Sequence, residues 1–163
     1  MSLYDLIKAF EAGVSLFYSA SSGSIKRALD GLLARGEVEV ESVEQGARGR
    51  KVYRVTPAGR EAFATWMHAD LTGSIETAAL SRLFFLGLLD ADERGQVLDR
   101  IKGAISADLA RLHAVRAEVE RTEVPPDLAD VALYQRAVLD YGLATFGFAL
   151  DWFDGLITKP ATD

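Results

Sequence analysis

The sequence has 163 residues and a net charge of −6, and 49% of its residues are hydrophobic. That apolar share excludes a disordered chain, and the lack of cysteine excludes disulfides, thiolate zinc sites and thiol nucleophiles. The apolar runs fall well short of the roughly 20 residues that a membrane-spanning helix needs, so we expect a cytoplasmic protein.

The first part of the chain predicts two short helices joined by a turn. A capping box of Ser2 and Asp5 starts an amphipathic helix that ends near Gly13. The hydroxyl-rich segment 16–23 predicts a turn and the N-cap of a second helix. The apolar face of that second helix stops before Gly36, where a left-handed C-terminal cap is expected.

A β-hairpin is predicted next. Residues 38–43 alternate with period two, residues 52–55 are rich in β-prone side chains, and glycines lie between the two segments. The hairpin tip carries Arg48, Arg50 and Lys51. The sequence therefore predicts two short strands with a positively charged connection.

The rest of the chain predicts helices only. Thr56 and Pro57 supply an N-cap and a first-turn proline for a helix that runs towards Asp70. Further helices are expected over 76–89, which is apolar on more than one side, over 92–121, which has a narrow apolar seam suited to coiled-coil-like pairing, and over 128–157.

Charge divides the chain into two parts. Residues 1–65 contain nine Lys and Arg against eight Asp and Glu, whereas residues 66–163 contain nine against sixteen. The acidity therefore lies in the second part, and local positive charge at a contact surface matters more than the total. We expect a DNA-binding domain over 1–65 and a helical dimerisation and effector-binding domain over 66–163.

The order of the predicted elements is that of a winged helix, in which one helix enters the major groove and the hairpin lies on the adjacent backbone. The predicted fold is mainly α, a winged helix-turn-helix with a two-stranded β-wing and a C-terminal helical dimerisation domain. The second helix and the hairpin supply the candidate DNA-binding residues, which are Ser22, Ser24, Lys26, Arg27, Arg48, Arg50 and Lys51.

These residues also have a purely structural interpretation. The basic tip is compatible with a solvated hairpin turn, and Lys26 and Arg27 with an exposed helix face. The complete winged-helix order favours contact with double-stranded DNA, because it places both groups beside one duplex.

Aromatic side chains in the second part are candidates for an effector pocket, since such pockets are largely apolar and aromatic, although such residues more often belong to the core or a dimer interface. The candidates are Phe84, Phe85, Tyr141, Phe148 and Trp152, and their alternative role is in the core or a dimer interface. His68 and His113 do not stand at a metal-ligand spacing, and no serine has a base nearby in sequence. We therefore expect no metal, no cofactor and no catalytic residue.

Several segments resemble a known family. They are residues 4–6, 8–10, 19–25, 48–53 and 56–61, followed by residues 83–86 and 139–142 with Trp152. In their order and spacing they resemble the PadR family of bacterial transcriptional regulators, and the last three are similar to the helical C-terminal region of its longer members. The resemblance covers nearly the whole chain.

The resemblance implies a homodimeric repressor that binds a palindromic operator and is released by a small aromatic or drug-like ligand. Family members usually carry another helix before the segment that starts here at Tyr4, and commonly have tyrosine where this chain has Lys26. One alternative is a ligand-sensing or protein-interaction module of the same fold that has lost DNA binding. An enzyme that uses the aromatic cavity is a weaker alternative, because no nucleophile, base or metal pattern supports it.

Overall fold

The computed structural model describes residues 1–43 and 49–158, and the side chains only as far as residue 156. The chain divides into two compact units, Met1–Ala91 and Asp92–Asp163. This division lies beyond the boundary expected after residue 65, because the first unit also contains the end of the helix Pro57–His68 and the whole of the helix Ile75–Phe85.

The first unit is a winged helix, as predicted. Its helices pack around buried side chains that include Leu29, Met67 and Ala79. Two one-turn 3-10 helices, Val14–Leu16 and Leu86–Leu88, accompany the main elements. The main elements are α1 (Leu3–Ala12), α2 (Ser22–Ala34), β1 (Val38–Val43), β2 (Lys51–Val55), α3 (Pro57–His68) and α4 (Ile75–Phe85).

Side-chain caps fix the starts of α1 and α2. The predicted capping box is confirmed, because Asp5 N donates to Ser2 Oγ at 3.3 Å and Ser2 N donates to Asp5 Oδ2 at 2.9 Å. Helix α2 is capped by Ser21, whose Oγ accepts from Ser24 N at 3.2 Å. The turn and the first residues of α2 are therefore held by local hydrogen bonds.

A compact junction connects α2 to α3. Gly36 has a φ of 71°, the left-handed conformation that was predicted for it. Thr56, the N-cap of α3, donates from Oγ1 to Gly36 O at 2.7 Å and accepts from Gly59 N at 3.1 Å. A Cβ at Gly59 would lie 1.9 Å from Glu37 O, so only glycine allows the two backbones to approach this closely.

The two strands are antiparallel, and the N-terminal residues pair with β2. The register places Val38 opposite Val55 and has an irregularity between Val40 and Ser42. Tyr53 N donates to Met1 O at 2.8 Å. Helix α1 therefore begins directly beside the wing.

Helix α4 is shorter than the predicted range 76–89. It ends at Phe85, and the chain continues as a 3-10 turn over Leu86–Leu88. Gly87 in this turn favours the change of helix type because glycine is a poor helix former. Leu86 and Leu89 are buried, so the apolar pattern of the sequence reflects burial beyond the end of the helix.

The second unit contains two long helices, α5 (Ala91–Arg121, whose first residue belongs to the first unit) and α6 (Ala129–Thr158), joined through a 3-10 turn over Pro126–Leu128. The two helices are antiparallel, since Lys102 pairs with Asp154 near one end and Arg116 with Asp140, at 3.8 Å, nearer the other.

The predicted apolar seam of α5 is buried at Val97, Ile101 and Ile105, and α6 contributes the buried side chains Leu143 and Phe153. These two long helices are the helical region that the sequence predicted. In the described part of the chain, no helix has the length and apolarity that crossing a membrane requires.

Another face of α6 carries an apolar stripe that is exposed to solvent. Along this stripe, Tyr134, Val138, Tyr141 and Phe148 are 70% to 74% exposed. The spacing alternates between three and four residues, which is the heptad pattern of helices that pair side by side. The members of the α6 stripe are Val131, Tyr134, Val138, Tyr141, Thr145, Phe148 and Trp152.

Candidate nucleic-acid interface

The first two turns of α2 carry four of the predicted DNA-binding residues. Ser22, Lys26 and Arg27 are exposed, whereas Ser24 is half-buried. Arg27 Nη2 donates to Ser24 Oγ at 3.1 Å, so the two side chains hold one another at the start of the helix. Backbone N–H groups at the same helix end add partial positive charge.

The base of the wing lies beside α2. Lys26, Arg50 and Lys51 line one cleft of about 450 Å³, together with Tyr4 of α1. The structure therefore brings together cations from the helix and the hairpin, which are 24 or more positions apart in sequence. Arg48, also predicted to bind DNA, lies outside the described residues.

Two carboxylates accompany these cations. Lys26 Nζ lies 2.6 Å from Asp30 Oδ2, and Arg50 Nη2 lies 2.9 Å from Asp5 Oδ2. The hydrogen bond that Lys26 donates to the Asp30 carboxylate raises the pKa of Lys26, so the ammonium stays charged at neutral pH. All four side chains are substantially exposed, and such pairs contribute little stability, so an incoming phosphate can replace either carboxylate.

Sequence reasoning missed the roles of Asp5 and Asp30. Asp30 had a signal, because it stands four residues after Lys26 on a helix. Asp5 had none, since its pairing with Arg50 depends on the placement of α1 beside the wing. A third wing cation, Arg54, pairs with Glu39 at 2.6 Å across the hairpin.

The residues predicted to line an effector pocket fall in both units. In the first unit, Phe84 and Phe85 belong to an aromatic cluster, with their ring centroids 5.0 Å apart and Phe17 5.7 Å from Phe84. In the second unit, Tyr141, Phe148 and Trp152 lie on the α6 stripe. The effector pocket stays a prediction.

Within 1–43 and 49–158, no three His, Asp or Glu side chains are grouped in a way that could hold a metal ion.

Two family models match the chain in the order that the sequence predicted. The model of the transcriptional regulator PadR-like family matches residues 2–65, and that of the virulence activator alpha C-terminal region matches residues 78–159. A probable transcriptional regulator of Mycobacterium tuberculosis is 27% identical over 168 residues, which cover 93% of this chain and 85% of the relative.

Similar solved structures include two bacterial regulators. Bacillus subtilis PadR in complex with operator DNA is 19% identical, with 96% of this chain and 88% of that chain covered and a TM-score of 0.43. The Vibrio cholerae virulence activator AphA is 21% identical, with 94% and 86% covered and a TM-score of 0.37.

The family matches confirm the resemblance drawn from the sequence motifs, and they describe regulators rather than enzymes. The winged helix lies where the first model matches, and the long helices α5 and α6 lie where the second does. The chain therefore belongs to the PadR-like family of transcriptional regulators.

Proposed function

We propose that this regulator binds duplex DNA as a homodimer, with α2 in the major groove and the wing on the neighbouring phosphate backbone. We further propose that it is a repressor, that its operator is palindromic and that a small ligand releases it. A protein that binds operators in a bacterial chromosome works in the cytoplasm, so the expected localisation is part of this proposal.

The observation that carries the proposal is the shared cleft of Lys26, Arg50 and Lys51. Affinity for DNA depends on cations that neutralise phosphates, and these three side chains face one region from two different elements. A helix beside a basic hairpin is the geometry by which winged helices bind a groove and its flanking backbone together.

Helix α2 and the wing have different roles in this proposal. Ser22 and Ser24, at the positive end of the α2 dipole, suit phosphate oxygens, while Lys26 and Arg27 suit the acceptor edge of guanine. Arg50 and Lys51, with Arg48 as a further candidate, suit the backbone. We therefore assign base selection to α2 and general affinity to the wing.

The α6 stripe is the surface that we assign to dimerisation. Apart from Thr145, its side chains are apolar and exposed, and the heptad spacing matches that of paired helices. In a two-fold dimer, the stripe of one protomer packs against the identical stripe of its partner. Tyr141, Phe148 and Trp152 were also predicted to line the effector pocket, and their exposure favours dimer contact.

A two-fold dimer presents two copies of α2 to the duplex. The two copies would contact half-sites about 34 Å apart, one turn of B-DNA, so the operator is expected to be an inverted repeat. A ligand that binds more tightly to a dimer with wrongly spaced helices lowers the affinity for the operator. Loss of operator binding would relieve repression.

A gel-shift titration with the gene's own upstream region tests the proposal. We expect retardation of that fragment at lower protein concentration than for a random fragment, with affinity that falls steeply as salt rises. No retardation at low salt would overturn DNA binding and favour a ligand-sensing or protein-interaction module. Retardation with no preference for the upstream region would overturn the operator assignment.

A further inference from the structure

Asp30 is an exposed acidic side chain that the proposed DNA contacts do not use. It lies on α2 one helical turn after Lys26, and its side chain is 54% exposed. It lines the same cleft as Lys26, Arg50 and Lys51. Because phosphate oxygens repel a carboxylate, a contact with the DNA backbone does not account for an acid at this place. The base edges of the groove are the remaining partners.

Lys26 and Asp30 form a compact pair of opposite charges on the surface of α2. Lys26 Nζ lies 2.6 Å from Asp30 Oδ2, and the Lys26 side chain is 59% exposed. An exposed pair of this kind contributes little to the stability of the helix. The ammonium has three N–H donors and the carboxylate has two oxygens, so each group keeps hydrogen-bonding capacity beyond their shared bond. The pair therefore offers a donor directly beside an acceptor.

The major-groove edge of a G·C pair has the complementary arrangement. Guanine O6 and cytosine N4 are hydrogen-bonded to each other and lie about 2.9 Å apart, close to the 2.6 Å between Lys26 Nζ and Asp30 Oδ2. Guanine O6 and the neighbouring N7 accept hydrogen bonds, and the second N–H of cytosine N4 is free to donate. The ammonium can thus bind guanine while the carboxylate binds cytosine, and the ion pair does not have to break.

The other base pairs match this pair of charges less well. A T·A pair also presents an acceptor beside a donor, namely thymine O4 and adenine N6. In that pair, however, adenine N7 is an acceptor that would repel the carboxylate, and the thymine methyl group takes the place of a second acceptor for the ammonium. In the reversed orientations, C·G and A·T, the ammonium faces an amino group and the carboxylate faces a carbonyl oxygen.

We propose that Lys26 and Asp30 together read one G·C pair in each half-site, with Lys26 on guanine O6 and N7 and Asp30 on cytosine N4. This assignment rests on the proposed function, because it requires α2 to lie in the major groove. Asp30 is then a specificity-determining residue. Its charge disfavours every duplex, and a cytosine amino group at this place offsets the loss.

Selection from a library of duplexes with about 20 randomised base pairs, two turns of B-DNA, tests the assignment on the full chain. We expect the wild type to enrich duplexes with a G·C pair at a fixed place in each half-site. Asp30→Ala and Lys26→Ala should both lose the preference at that same pair and keep the rest of the selected sequence. Glu11→Ala removes an exposed carboxylate of α1 that also pairs with a lysine, and as the control it should select the wild-type sequence.

Modified bases in the selected duplex then test the individual atoms by gel-shift titration. N4-methylcytosine still pairs with guanine, but its methyl group occupies the position of the N–H that Asp30 would accept. We expect this base to weaken binding of the wild type about tenfold and to leave binding of Asp30→Ala unchanged. 7-Deazaguanine, which lacks the N7 acceptor, should weaken binding of the wild type but not of Lys26→Ala.

The outcomes distinguish this assignment from the proposed function. No enrichment of any sequence would overturn both. Enrichment without a fixed G·C pair, or relaxed preference at different positions in Asp30→Ala and Lys26→Ala, would overturn the joint reading while operator binding stands. Equal sensitivity of the wild type and Asp30→Ala to N4-methylcytosine would likewise refute the contact of Asp30 with cytosine.

Discussion

Arg50 donates from Nη2 to both carboxylate oxygens of Asp5, at 2.9 Å each, across a separation of 45 residues. The same carboxylate accepts from the backbone N and the Oγ of Ser2. One side chain thus connects the capping box of α1 to the base of the wing. The wing cation is therefore positioned by the first helix as well as by its own strand.

The contribution of Asp5 to stability should depend on pH. The hydrogen bonds from Ser2, and then those from Arg50, lower the pKa of Asp5. A carboxyl whose pKa is lower in the folded protein than in the unfolded one, where it is near 4, stabilises the fold at higher pH. This stabilisation is lost as the pH falls through the pKa of the folded protein. We expect the Tm gap between the wild type and Asp5→Asn to shrink between about pH 6 and about pH 3 in thermal melts.

Ser2→Ala is the matched control for this experiment. It retains the Asp5 carboxylate but removes one hydroxyl donor, so its pH dependence should be intermediate. A Tm gap that stays constant across the pH range would contradict the role assigned to Asp5.

Arg50 and Lys26 should affect DNA binding differently. Arg50→Ala is expected to weaken binding to operator and random DNA alike and to reduce the salt slope by about 1, because it removes a phosphate contact. Lys26→Ala is expected to reduce mainly the preference for the operator, because it removes a base contact. Gel-shift titrations of both variants on both fragments, across salt concentrations, separate the two effects.

Asp30→Asn provides the complementary variant. It releases Lys26 from its ion pair and removes a negative charge near the proposed interface, so affinity for any duplex should rise. Equal losses for Arg50→Ala and Lys26→Ala on every fragment would refute the division between wing and helix.

An acidic residue in the α6 stripe should separate the proposed dimer. Tyr141 is 74% exposed, so Tyr141→Asp leaves the fold of the protomer intact while it places a charge in the paired surface. We expect the dimer dissociation constant to rise at least tenfold, as measured by analytical ultracentrifugation. Arg136→Asp, on an exposed position of the same helix that faces away from the stripe, should leave it nearly unchanged. Dimers of equal strength in both variants would rule out the stripe as the interface.

The two glycines Gly59 and Gly103 should respond to alanine in opposite directions. A Cβ at Gly59 meets the Glu37 backbone at 1.9 Å, whereas a Cβ at Gly103 has no described atom within 4 Å apart from its chain neighbours and the backbone of its own helix. We expect Gly59→Ala to destabilise the protein by about 1–3 kcal/mol or more, as overpacking does. Gly103→Ala, inside α5, should stabilise it by about 0.5–1 kcal/mol. Urea unfolding measures both, and a neutral Gly59→Ala would contradict the close approach at the junction.

Local sequence signals were sufficient for most of the fold. The Ser2 and Asp5 capping box, the cap at Thr56 and the left-handed Gly36 each depend on residues a few positions apart, and the structure contains all three. The predicted end of α4 was wrong, because buried leucines continue the apolar pattern after the helix has changed to a 3-10 turn.

Long-range relationships could not be predicted from local patterns. The pairing of Asp5 with Arg50 depends on how α1 lies beside the wing, and the burial of Arg82 depends on the packing of α4 against the end of α3. In the sequence, Arg82 is one of the few polar residues of a segment that is apolar on more than one side. Its burial becomes apparent only when its neighbours are known.

The hydroxyl of Thr56 bonds both Gly36 O, just past the end of α2, and Gly59 N, in the first turn of α3. Because the backbones also meet at Glu37 and Gly59, neither helix can tilt without the other. A displacement of α3 is thus transmitted directly to α2 through these contacts. Under the proposed function, selection of the operator then depends on how α2 and α3 are placed together on the duplex, and not on bending within either helix.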